Sequence, residues 1–85
     1  MLMKKHVNLN QSTNPEGWSA SIATAHIFGD KAISMGESIL YPNKDTAWNS
    51  IKNEAQNLDY EEDEILFNRV PVNSYQEMLN MVNDL

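Results

Sequence analysis

The chain has no cysteine, which excludes a disulfide framework, a thiolate-ligated zinc site and a cysteine nucleophile. It has no apolar run near the roughly 18 residues that a membrane-spanning helix needs. The opening Met1-Leu2-Met3-Lys4-Lys5-His6 holds two lysines with no apolar stretch behind them, so it does not read as a signal peptide. A cytoplasmic chain with no membrane partner is the expectation that follows. Glycine is sparse, and Gly17, Gly29 and Gly36 stand too far apart to form a phosphate-cradling loop. No serine sits in a nucleophile elbow, since Ser34-Met35-Gly36-Glu37-Ser38 lies inside a strand pattern. With 85 residues the chain is one small domain, 1–85. A domain of this size buries only about 60% of its unfolded surface. That leaves little room for an enclosed substrate cleft, and the chain is expected to be non-enzymatic and without a cofactor.

Cations are also scarce: 6 Lys and Arg stand against 12 Asp and Glu, a formal charge of −6. The imbalance is local. Residues 1–31 set Lys4, Lys5 and Lys31 against Glu16 and Asp30, whereas residues 32–85 set three cations against ten acids. Five of the acids, Asp59, Glu61, Glu62, Asp63 and Glu64, fall within six positions. A nucleic-acid backbone repels such a surface, so direct DNA or RNA binding is not expected, and a basic protein surface is the natural counterpart. Eleven asparagines match the composition of AT-rich bacterial and phage coding sequences.

What is present reads as an α+β fold. Lys4 to Gln11 alternates weakly and suits an edge strand. Trp18 to Phe28 and Lys31 to Tyr41 form an antiparallel hairpin about Gly29-Asp30. This register sets Trp18 opposite Tyr41, Ala20 opposite Ile39 and His26 opposite Ile33. One face is then large and the other small, with Glu37 falling opposite Ile22 on the large one. A competing reading makes residues 14–28 a helix, capped at Thr13-Asn14-Pro15-Glu16 and ended by Gly29, which changes βββαβα into βαβαβα. Asn43 caps a helix whose stripe is Trp48, Ile51, Ala55 and Leu58, stopping near Asn57 or Leu58. Ile65 to Val72 reads as one strand with Pro71 near its end. Ser74-Tyr75-Gln76-Glu77 is a capping box for a last helix with Tyr75, Met78, Leu79, Val82 and Leu85 on its apolar face. The expected architecture is an antiparallel sheet of about four strands with two helices packed on the large-residue face.

Three groups of residues are candidates for function. The acidic run 59–64 is the first, as a patch for a basic partner. Its neighbouring carboxylates share one solvated environment, which does not suit the paired acid and base of a hydrolase. The run also lacks the glycine-containing loop of an EF-hand. The small hairpin face is the second: Ser19, Ser21, Ala23, Ser34 and Ser38 make a flat, neutral surface on which few side chains need ordering, suited to a partner or to a homodimer. The third is a minimal metal site of His6, His26 and Glu37. Its spacing matches no known ligand motif, so no metal is expected.

The stretch from Trp18 to Ala55 resembles in outline the strand–strand–helix core of small bacterial antitoxins of the HicB type, through Gly36-Glu37-Ser38 and the helix alanines Ala47 and Ala55. Five extra residues separate that step from the helix, and no residue role is carried over. The functional expectation is a small acidic protein-interaction module that binds, inhibits or masks a basic partner, as a phage or plasmid inhibitor, an antitoxin or an immunity protein does. The alternatives are a small-ligand or metal-binding domain and a structural homo-oligomer.

Overall fold

The computed structural model describes residues 3–26 and 39–85. Five strands form one sheet: β1 (Met3–Thr13), β2 (Glu16–His26), β3 (Ile39–Tyr41), β4 (Glu64–Phe67) and β5 (Val70–Val72). Helix α1 (Lys44–Gln56) joins β3 to β4, and α2 (Tyr75–Asn83) follows β5. The strand order is β3-β2-β1-β4-β5. Residues 16–26 are strand, so the helical alternative for 14–28 falls. β-branched Ile22 and Thr24 suit the pleat better than a helix. The register places Trp18 opposite Tyr41 and Ala20 opposite Ile39, as the large and small faces predict. The remaining hairpin pairs, the Gly29-Asp30 turn and Glu37 lie outside the described residues.

Two expectations need correction. The first strand is not an edge. It sits in the middle, with β2 antiparallel on one side and β4 parallel on the other, so the sheet is mixed. Its core positions Val7 and Leu9 are 0% exposed because neighbours flank them on both sides. Residues 65–72 are also not one strand. Asn68 and Arg69 have φ of 47° and 71°, and this two-residue left-handed turn folds the segment into the β4–β5 hairpin. Pro71 then lies in an edge strand, opposite Leu66.

Asn68 does more than turn the chain. Its backbone N–H donates to the Val7 carbonyl at 2.8 Å. Its side-chain amide then stands in for a further residue of β4: Oδ1 accepts from Leu9 N at 2.9 Å, and Nδ2 donates to Leu9 O at 3.0 Å. The middle of β1 is thus paired beyond the point where β4 turns away.

Both helices cover the same sheet face, and both start where the sequence places a cap. Asn43 accepts from Thr46 N at 2.8 Å, and Ser74 accepts from Glu77 N at 3.2 Å. Buried Ala47, Trp48, Ile51 and Ala55 of α1 and Met78 and Val82 of α2 close on Val7, Leu9, Ala20, Ile65, Phe67 and Val72. Each fully buried large side chain contributes about 1.5–3 kcal/mol by leaving water. Leu85, expected on the α2 stripe, is 49% exposed because it lies beyond the last helical turn. Trp48 is the aromatic hub, edge-on to Phe67 at 6.5 Å and stacked on Tyr75 at 6.3 Å.

Two tyrosines flank this core with opposite hydrogen-bond fates. The Tyr60 hydroxyl donates to Ala55 O at 2.7 Å, whereas the buried Tyr75 hydroxyl finds no partner among the described residues. Replacing Tyr60 with Phe is expected to cost about 0.5–1.5 kcal/mol. Replacing Tyr75 with Phe should be neutral or stabilising by about 1 kcal/mol, because it removes a desolvated hydroxyl without a partner among the described residues. Urea denaturation of the two variants checks this. A Tyr75→Phe loss as large as that of Tyr60→Phe would contradict it.

Candidate functional site

The acidic segment begins where α1 ends. Leu58 remains against the core, and Tyr60 turns inward to close the helix end through Ala55. Burial is the main cause, with the neighbouring Tyr75 second, that pushes the Tyr60 hydroxyl up to about 12. The flanking acids are not equivalent. Asp59 Oδ1 accepts from the backbone N–H of Glu61 at 3.2 Å and of Glu62 at 3.1 Å, and the Asp63 N–H returns to Asp59 O at 3.0 Å. Asp63 Oδ1 accepts from Met3 N at 3.2 Å, tying the loop to the start of β1. Glu64, the first residue of β4, lies 3.9 Å from the Lys4 ammonium, an exposed pair that adds little stability. Asp59 and Asp63 therefore build the loop, while exposed Glu61 and Glu62 direct their charge outward.

The fold adds two carboxylates that stand apart in sequence. α1 runs toward this end of the sheet and brings Glu54 in its last turn. β5 ends opposite Ile65, so α2 starts at the same end, with Glu77 in its first turn accepting from Asn73 N. No basic residue occupies the last turn of α1, whose carbonyl end carries roughly half a negative charge. Glu54, Asp59, Glu61, Glu62, Asp63, Glu64 and Glu77 thus share one pole, where the start of β1 also brings Lys4 and Lys5, so that acids outnumber these cations there. The Glu54 and Glu77 contributions become visible only once the strand order is known.

The small-residue surface is on the opposite face of the sheet from the helices. Ser19, Ser21 and Ala23 lie there on β2, opposite Asn10, Asn8 and His6 of β1, all six accessible to some degree. Leu40, 41% exposed, extends this face onto β3. Ser34 and Ser38 lie outside the described residues. So does Glu37, and the register sets His26 opposite Met3, three positions along β1 from His6. Among the described residues no three His, Asp or Glu side chains gather as a metal-binding group. No helix there is long and apolar enough to cross a membrane.

On the helix-covered face a groove of about 560 Å³ separates α1 from the β2–β3 side of the sheet. Ile22, Ile39, Ile51 and Leu58 supply its apolar walls, with Lys5, Thr24, Tyr41, Ser50 and Glu54 among the polar ones. The Lys5 ammonium donates to the Thr24 hydroxyl at 3.0 Å. Sequence reading missed this groove, because its walls come from three strands and one flank of a helix. The only signal was the i, i+4 pair Ser50 and Glu54, on the α1 flank beside the core stripe.

No protein-family model matches the chain, and comparison with curated proteins and with solved structures finds no match.

Proposed function

We propose that the chain is a non-enzymatic protein-interaction module that binds a basic partner protein and masks or inhibits it, as an inhibitor, antitoxin or immunity protein does. The observation that carries this reading is the acidic pole: seven carboxylates from α1, the 59–64 segment, β4 and α2 on one end of the molecule, with Glu61 and Glu62 exposed. Such a surface steers a positively charged partner to one orientation and repels nucleic acid. Side-by-side carboxylates in one solvated environment give charge, not a divided acid and base.

The division of labour in the loop dictates the test. Asp59 and Asp63 hold backbone N–H groups, so neutralising them also disturbs the fold. Glu61→Gln with Glu62→Gln removes charge alone. Capture of partner proteins by the tagged chain is expected to enrich basic proteins, to weaken with added salt, and to fall about tenfold in the double variant. Capture that is unchanged in the variant and insensitive to salt would overturn the reading.

A further inference from the structure

The groove and the acidic pole are continuous. Leu58 lines the groove and the acidic segment starts at the next residue, while Glu54 lines the groove and belongs to the pole. The apolar walls are only partly covered: Ile39 is 52% exposed and Ile22 and Leu58 are half-buried. A volume of about 560 Å³ is in the range that takes a few large side chains. An apolar trough that opens onto a field of carboxylates is complementary to a segment with apolar anchors flanked by cations. Anchors buried in a pocket carry most of an interface's affinity, and rim charges set orientation and encounter rate.

We infer that this groove, lined by Ile22, Ile39, Ile51, Leu58 and Glu54, with the Lys5 ammonium drawn onto the Thr24 hydroxyl in its wall, receives an amphipathic basic segment of the partner, with aliphatic or aromatic side chains inserted between α1 and β2–β3 and its Lys or Arg residues over Glu54 and the 59–64 loop. The inference rests on the acidic-pole reading for the charge of the partner and adds the apolar anchors and their seat.

The probes are a synthetic peptide of repeating Leu-Leu-Lys-Lys units and an all-lysine peptide of equal charge. The intact chain should bind the leucine-containing peptide at least about tenfold more tightly, since only that peptide buries apolar surface. Ser50→Trp fills the groove from an exposed helix position and should erase this advantage while leaving all-lysine binding unchanged. Ile39→Asn, at an exposed strand position, serves as the second variant, and circular dichroism establishes that both fold. Amide shifts induced by the leucine-containing peptide should centre on Ile39, Ser50, Glu54 and Leu58. Equal affinity for the two peptides, indifference to both variants, or a groove closed by a second copy of the chain in a concentration-dependent dimer would overturn the inference. If Glu61→Gln with Glu62→Gln weakens both peptides while Ser50→Trp and Ile39→Asn change neither, the pole stands and the groove falls. The reverse pattern overturns the pole and, with it, the basic character assigned to the partner.

Discussion

Asn68→Ala is expected to lower the unfolding free energy by about 3–7 kcal/mol. Two effects add. The side-chain amide satisfies both the N–H and the C=O of Leu9, a residue with 0% exposure, and alanine leaves the two groups buried without partners. Each such orphan costs about 1–3 kcal/mol. Asn68 also has φ of 47°, a left-handed conformation that asparagine tolerates and alanine does not, adding about 1 kcal/mol. A domain of 85 residues has about 4–13 kcal/mol in total, so the loss is a large fraction of the stability available. Guanidinium denaturation followed by tryptophan fluorescence measures the loss. Asn68→Gly separates the effects, since glycine keeps the turn and loses only the amide. A loss below about 1 kcal/mol for alanine would mean that the amide is not holding Leu9.

Gly17→Ala should cost about 2–4 kcal/mol, through a different mechanism. Gly17 is buried, with φ of 153°, and an added Cβ would lie 2.7 Å from the Tyr41 carbonyl oxygen and 2.9 Å from Leu40 Cγ. The backbone oxygen cannot rotate away, so β3 must shift outward and loosen the Trp18–Tyr41 pair. The loss should therefore come with a changed tryptophan emission and, because Ile39 and Tyr41 line the groove, with a wider trough. Measured stability within about 0.5 kcal/mol of the unsubstituted chain would show that β3 is not held against Gly17.

How much of this was legible in the sequence depends on how local the determinant is. The two helices were, because Asn43 and Ser74 cap them and their apolar stripes are complete within a few turns. The Trp18–Tyr41 register was, because a slip would mix large and small residues on one face. The central place of β1 was not. Its alternate positions carry His6, Asn8 and Asn10, which look solvated, and its second neighbour β4 arrives some sixty residues later. The β4–β5 turn was missed because Asn-Arg lacks the glycine that usually marks such turns, although Asn68 itself tolerates positive φ. Within the site, the clump of acids was plain, but not its split between Asp59 and Asp63, which bind backbone, and Glu61 and Glu62, which face water. That split needed the loop conformation and the contact with Met3.

Pro71 has a further consequence for the molecule as a colloid. In a two-residue hairpin the pair next to the turn, Phe67 with Val70, exchanges ladder hydrogen bonds, so the next position on β5 turns its nitrogen outward. That nitrogen belongs to proline and carries no hydrogen. The outer rim of β5 therefore offers an incoming strand no donor at its midpoint, while the ladder to β4 loses nothing. In a chain this short the rim of a sheet is a large part of the periphery, and one imino acid makes this side of it a poor template for edge-to-edge polymerisation.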